Sequence, residues 1–149
     1  MLYFITGFTG VGKTTIGREL AVLTNLPFID LDESIEKKIN QSITSYFEKN
    51  GEDAFRDIER QTLLESIKLH SEAIIVLGGG TLSYRLNHIP VLQSGTLLFL
   101  ELPWDELYAR IKKLKNRPTL QGKTEAQMKA IFVQRLPFYE LSQLKMPIN

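Results

Sequence analysis

Short apolar runs alternate along the chain with longer stretches whose apolar residues recur every three or four positions, and glycine or proline marks most junctions. Leu2 to Thr6 reads as a buried strand that ends at Gly7. A helix should start near Lys13 and run to about Leu23, with Ile16, Leu20 and Leu23 on one stripe. Pro27 to Ile29 predicts a second strand ending at Asp30. From Glu33 to Lys68 the spacing is helical, through Ile35, Ile39, Tyr46, Phe47, Phe55, Ile58, Leu63 and Ile67, with Gly51 dividing the stretch and available as a cap. Ala73 to Leu77 is the most strand-like segment and stops at a triple glycine, and Thr96 to Leu102 is another strand. Pro103 opens a helix with Asp105 and Glu106 in its first turn and Leu107, Ile111 and Leu114 on its apolar face. Residues 115 to 123 read as a loop. Thr124 and Gln127 form a capping-box pattern for a further helix, which Pro137 should kink or stop. Met146 to Ile148 suffices for part of a last strand. Such alternation predicts an α/β fold with three layers and a mainly parallel sheet.

Composition narrows the class without changing the fold. The chain has 149 residues, 43% hydrophobic and 23% charged, which is the size of one domain with its own core. Eighteen Lys and Arg against 17 Asp and Glu leave a formal charge of +1, so any strong electrostatic attraction must be local. There is no cysteine, which excludes thiol catalysis and thiolate metal sites. The apolar start lacks a basic leader and reaches Gly7 too soon for a signal peptide, and no window approaches the ~20 apolar residues of a membrane span. The expectation is a cytoplasmic protein without membrane or nucleic-acid partners.

Residues 7 to 14, GFTGVGKT, match G-x-x-x-x-G-K-[ST] between a strand and an amphipathic helix. In that context glycines let backbone N–H groups turn around phosphate oxygens, Lys13 places a cation on the terminal phosphates, and the Thr14 hydroxyl is suited to Mg²⁺. An ordinary glycine-rich turn is the plainer reading. In a parallel sheet, ligands bind beyond the carboxyl ends of the strands. The first three strands end in the phosphate loop, in Asp30-Leu31-Asp32 and in Gly78-Gly79-Gly80, which should therefore converge. If strand geometry persists, Asp30 and Asp32 point the same way. Asp30 then suits a position near Mg²⁺, reached through water, and Asp32 an acceptor hydroxyl as orienter or base. Asp32 could instead simply cap the next helix. The triple glycine is either a plain turn or a close approach of backbone to ligand.

With these motifs in order, the sequence resembles the shikimate kinase family of small P-loop kinases. The resemblance runs through GFTGVGKTTIGREL, PFIDLDESIE, FEKNGEDAFRDIE, LGGGTL, NRPTLQGK and QRLPFYE. It implies a three-layer α/β/α fold of the nucleoside-monophosphate-kinase kind, formed by a single domain over 1–149. A substrate-binding segment would span about 31–60 and a lid about 110–123. The implied reaction is ATP- and Mg²⁺-dependent phosphorylation of the 3-hydroxyl of shikimate by a monomer. The implied ATP contacts are Gly10, Val11, Gly12, Lys13, Thr14 and Thr15, with Arg110 near the nucleotide and Arg117 reaching the phosphates from the lid; Mg²⁺ falls to Thr14 and Asp30. Shikimate would meet Asp32, Arg56, Gly78, Gly79, Gly80 and Arg135, with Phe47 and Phe55 lining the ring pocket, and Lys13, Asp32 and Arg117 would be catalytic. The family pattern continues some twenty residues past this endpoint, through a fifth strand, an adenine-contacting loop and a final helix. The expectation is a truncated C-terminal strand and helix: either the sequence is a shortened version, or the chain manages with one face of its sheet thinly covered, a gap that partner chains could fill.

The chemistry of these residues is compatible with that implication. A planar guanidinium matches a carboxylate with two parallel hydrogen bonds, so Arg56 and Arg135 from different helices suit an anion held from two sides. Taken alone they read as surface salt bridges to neighbours such as Asp57 and Glu59, and Phe47 and Phe55 read as core. Residues 110 to 123 carry six cations and no acid. That is a solvated basic helix end, a nucleic-acid contact without aromatic interleaving, or a partner for a triphosphate. Arg117-Pro118 with Gly122 suits a closing loop. His70 and His88 read as surface residues, Trp104 as a packing anchor, and Tyr139 as packing for the end of its helix. A related small-molecule kinase, such as a gluconate kinase, and an interaction module that keeps the fold are the competing functions.

Overall fold

A computed structural model of the protein describes residues 1–114 and 120–149. Five strands, β1 (Leu2–Thr6), β2 (Phe28–Asp30), β3 (Ala73–Val76), β4 (Gly95–Glu101) and β5 (Leu144–Pro147), make a parallel sheet in the order β2-β3-β1-β4-β5. The helices are α1 (Lys13–Thr24), α2 (Leu31–Ile39), α3 (Ile43–Leu69), α4 (His88–Ser94), α5 (Trp104–Ile111) and α6 (Glu125–Tyr139), with a short 3₁₀ turn at Thr81–Ser83. Every residue of β3 is buried, as are four of the five in β1. Strands with both faces buried need helices on both sides, which is the three-layer arrangement expected from the alternating pattern. Among the described residues no helix is long and apolar enough to cross a membrane.

The local boundaries follow their capping chemistry. Gly12, in the left-handed region at φ 98°, begins α1, and Asn25, also left-handed, closes it. Asp30 ends β2 and caps α2, its Oδ1 accepting hydrogen bonds from the backbone N–H of Asp32 (2.9 Å) and Glu33 (3.4 Å). The Ser42 hydroxyl caps α3, which Gly51 interrupts at φ 84°, ψ 175°. Thr124 and Gln127 complete the expected capping box of α6.

Four expectations need correction. Leu23 is 81% exposed, because α1 turns its small residues inward and buries Gly17 and Ala21, while Ile16 and Leu20 only flank that seam. Pro137 does not stop α6, which runs on through Tyr139; so near the helix end the proline removes little of the intrahelical ladder. Helix α4 had no sequence signal, being only seven residues long, and Pro90 sits in its first turn, where a missing N–H is tolerated. The last strand starts earlier than Met146: Leu98 to Glu101 pair with Leu144 to Pro147, and the Ile148 N–H donates to the Glu101 carbonyl at 2.8 Å. It was hard to read because it lies at the sheet edge, where proline is allowed and Leu144 and Lys145 face solvent. Beside it an open groove of about 490 Å³ runs along Phe99, Phe132, Leu136 and Ile148, consistent with a thinly covered face.

Gly17 sets how closely α1 approaches the sheet: a Cβ there would lie 2.5 Å from Val76 Cγ2 and 2.9 Å from Phe28 Cε1. Gly17→Ala gains ~1 kcal/mol of helix propensity but overpacks a β-branched strand residue, typically costing ~1–3 kcal/mol. Overpacking should win. Urea unfolding is expected to show lower stability for the variant, and equal or higher stability would contradict this packing account.

Candidate active site

The sheet register brings three strand ends to one level. Ile5 pairs with Val76, and Val76 pairs with Asp30, so the row Ile5–Val76–Asp30 crosses β1, β3 and β2. Two residues beyond that row stand Gly7, Gly78 and Asp32. The expected convergence is present, although the strand geometry stops at Asp30 and Asp32 already belongs to α2.

Gly7, Gly10 and Gly12 all have positive φ (155°, 90° and 98°), which curls the loop backbone. Its cavity, about 220 Å³, is lined by Gly10, Gly12, Lys13, Thr14, Thr15, Asp30 and Asp32, with Thr9, Gly78 and Gly79 on the far side. Gly12 supplies no side-chain cap, so the first N–H groups of α1 remain open to an anion. Val11 differs from its neighbours: its side chain is buried in the core, and its carbonyl accepts from Arg110 Nη1 at 3.1 Å. Arg110 is thereby held against the loop. Arg117, like the rest of residues 115–119, lies outside the described residues.

Lys13 Nζ donates to the carbonyls of Gly7 (2.9 Å) and Phe8 (3.2 Å). Burial lowers its pKa to about 8, partly opposed by Asp32. Asp32 is reached by water through the cavity yet is surrounded by protein mass, and it moves the other way. Desolvation first, then the charges of Asp30 and Glu59, raise it to about 6 against the pull of Lys13.

The Thr14 hydroxyl donates to Asp30 Oδ2 at 2.8 Å. A hydroxyl and a carboxylate at the lip of a phosphate cavity are hard oxygen donors of the kind Mg²⁺ takes. Among the described residues no group of three or more His, Asp or Glu side chains forms a metal cage. Mg²⁺ needs none, since phosphate and water oxygens complete its shell, so these residues fit the ion.

A second cavity, about 510 Å³, opens on the other side of Thr9, Asp32, Gly78 and Gly79 and is bounded by Phe55, Arg56, Glu59, Gly80 and Arg135. Gly78 to Gly80 do not have positive φ. Their need for glycine is steric, because a Cβ on Gly80 would lie 2.8 Å from Arg135 Nη2 and 2.9 Å from Arg56 Nη2. One on Gly78 would lie 3.1 Å from Asp32 Oδ1. Close packing against Asp32, Thr9 and the two arginine side chains accounts for the triplet.

Arg56 and Arg135 are 2% and 3% exposed, which removes the surface-salt-bridge reading. Arg56 donates to Glu59 at 2.8 Å and Glu52 at 3.3 Å, with its guanidinium 3.8 Å from the Tyr84 ring centroid, and its Nε is buried without a partner. Arg135 forms no salt bridge among the described residues, and its Nη1 is buried and unpartnered. A buried guanidinium lacking an acid is costly unless an anion comes to it. Phe55 lines this cavity, whereas Phe47, packed on Phe55 at 5.8 Å, lines a neighbouring hollow with Tyr84 and Phe138.

Several supporting residues escaped the sequence reading. Buried Glu59 accepts from Arg56 and from the Thr81 hydroxyl (2.8 Å). Asn87, fully buried, donates to the Thr81 carbonyl (3.0 Å) and accepts from Arg60 (2.9 Å). Tyr139 donates its hydroxyl to the Gly79 carbonyl at 2.5 Å, so it braces the glycine loop as well as packing its helix. FRDIE carried the signal for Glu59, since i,i+3 brings an acid beside Arg56; the others lie too far apart in sequence. Trp104 is the expected anchor, against Phe8 and Phe132. His88 is half-buried edge-on to Phe138, and His70 is half-buried with its Nδ1 2.9 Å from the Ser66 carbonyl, so neither is a free surface residue.

With this geometry in hand, comparison with known proteins is specific. Residues 9–146 match the family model described as shikimate kinase. A shikimate kinase of Flavobacterium johnsoniae is 39% identical over 89% of this chain and 78% of its own length. The crystal structure of shikimate kinase from Bacteroides thetaiotaomicron is similar at 35% identity and a TM-score of 0.86, covering 99% of this chain and 86% of that one. Shikimate kinase from Acinetobacter baumannii in complex with shikimate superposes with a TM-score of 0.92 at 33% identity, covering 99% and 83%.

The opposed shifts of Asp32 and Lys13 can be measured. Carboxyl-carbon NMR should show Asp32 titrating near 6; Asp30→Asn removes a like charge and should lower the midpoint, while Lys13→Met removes an attracting one and should raise it. A midpoint near 4, indifferent to both changes, would refute the electrostatic account.

Proposed function

Because the chain belongs to the shikimate kinase family, we propose that it transfers the γ-phosphoryl group of ATP to the 3-hydroxyl of shikimate. The observation that carries this reading is Arg135, a buried guanidinium without an acid partner, facing Arg56 across Gly80. Two such cations fit a small carboxylate, and Phe55 offers a ring an apolar wall.

The triphosphate lies in the glycine loop against the open N–H groups of α1. Lys13 leaves the Gly7 and Phe8 carbonyls for the terminal phosphates. Arg56 and Arg135 fix the substrate carboxylate, which orients the 3-hydroxyl toward Asp32. Asp32 accepts the hydroxyl proton as the oxygen–phosphorus bond forms and the bond from phosphorus to the bridging oxygen of ADP breaks, that oxygen keeping the electron pair. Thr14 and Asp30 would hold Mg²⁺, which neutralises phosphate charge when bound. Arg110 steadies the loop, and Arg117 completes the charge neutralisation from the lid at about 110–123. Substrate-binding segment and lid belong to one domain over 1–149, acting as a cytoplasmic monomer on a small molecule.

A coupled assay with purified protein, ATP, Mg²⁺ and shikimate tests the reading. Turnover no better than that of Lys13→Ala would defeat it. Arg135→Ala should weaken shikimate binding by ~1.5–3 kcal/mol, the range for a lost charged hydrogen bond, and Arg117→Ala should slow turnover by about 10³-fold if it neutralises charge in cis. The pH profile of kcat/KM should be a bell: it falls below about 6, where Asp32 gains its proton, and above about 8, where Lys13 loses its charge. A flat profile between 5 and 9 would remove both residues from the reacting state.

A further inference from the structure

Among the described residues the nucleotide cavity and the acceptor cavity share four lining residues: Thr9, Asp32, Gly78 and Gly79. Whatever moves from donor to acceptor passes between them. Gly78 and Gly79 bring no side chain, and ionised Asp32 is an acceptor only. Among the described residues Thr9 is therefore the one side chain lining both cavities that can donate a hydrogen bond. Its hydroxyl faces the glycine loop, 3.0 Å from where a Cβ on Gly79 would stand, and has no hydrogen-bond partner among the described residues. β-Branching limits its rotamers, so the hydroxyl is already directed when ligands arrive.

We infer that Thr9 is a catalytic residue whose hydroxyl donates a hydrogen bond to the phosphoryl group during its transfer. This rests on the phosphoryl-transfer reading above but not on the identity of the acceptor. In transit the group spreads negative charge over its three equatorial oxygens, and catalysis consists largely of donors and cations prearranged around them. Lys13 serves the nucleotide side and Arg135, whose Nη1 is 3.3 Å from the same Gly79 position, guards the acceptor side. Thr9 covers the ground between. Thr9 lines both cavities, and a hydrogen bond made to the group in transit should appear on its loss in kcat and not in KM.

Thr9→Val preserves shape and removes the hydroxyl, and Thr9→Ser restores it. Thr9→Val should lower kcat by about 10- to 100-fold, the range for a hydrogen bond to a charged group, with both KM values and the melting temperature near those of the parent. Thr9→Ser should recover most of the rate. The complex of ADP, aluminium fluoride and shikimate, which mimics the group in flight, should weaken by a similar factor in Thr9→Val while ADP affinity holds. Unchanged kcat in Thr9→Val, a defect confined to KM, or a serine variant as slow as valine would overturn the inference. Slow ATP hydrolysis, with water as acceptor, separates the two readings. If the parent hydrolyses ATP but ignores shikimate, the substrate reading fails while Thr9→Val should still slow hydrolysis; a parent inert in both reactions overturns both.

Discussion

Backbone hydrogen bonds between β1, β3 and β2 hold Ile5, Val76 and Asp30 in one row, and the chemistry depends on that register. Side chains alternate along a strand, so a slip of one residue would turn Asp30 away from Thr14 and carry the triple glycine out of line with the phosphate loop. What secures the register is burial: all of β3 and most of β1 are inaccessible to water, and Gly17 lets α1 press directly on Val76. The apolar core thus fixes the distance between donor and acceptor sites, and it reaches the cavities themselves through Phe55, Val76 and Leu77.

Against that rigid frame the charges are set at odds with folding. Asp32 holds its proton more tightly in the folded chain than in the unfolded one, from 3.8 up to about 6, so its contribution to stability is lost as pH rises through that window. Lys13 gives up its proton more readily, from 10.5 down to about 8, so its contribution is lost as pH falls through that window. At neutral pH both groups are mainly in the charged form that folding disfavours. Arg135 adds a buried cation without an acid. Such strain makes sense where anionic ligands relieve it, since phosphates stabilise charged Lys13 and a carboxylate satisfies Arg135.

The parts of this site legible in the sequence were those encoded locally. GFTGVGKT declares a phosphate loop because its glycines, lysine and threonine act within one turn, and Thr124 with Gln127 declares a helix start for the same reason. Convergence of the strand ends followed from parallel topology. The acceptor side was illegible from residue types alone: Asp57 and Glu59 beside Arg56 suggested surface pairing, yet Asp57 pairs with Arg85 while Glu59 turns inward. Only the family resemblance singled out Arg56 and Arg135. Asp30, not Asp32, proved to be the cap, because the strand ends at Asp30, two residues short of what the alternation argument needs. Tyr139, Thr81 and Asn87 act across more than five residues of separation or across elements, and no window of sequence reports that.

These distant residues explain how the Arg56 guanidinium is held in one orientation while it pairs with Glu59 and Glu52. Glu59 anchors one edge of Arg56; Thr81 occupies the other oxygen of Glu59; Asn87 ties the Thr81 backbone, and Arg60 ties Asn87. Tyr84 covers the face of the guanidinium. The chain of bonds uses both oxygens of Glu59 and so orients Arg56, whose Nε stays buried without a partner. The same residues flank the glycine triplet, so the loop carrying Gly79 and the arginines beside Gly80 are tied into one bonded and packed unit. Precision at the acceptor is therefore a property of the packed loop at 78–87 and not of any single arginine.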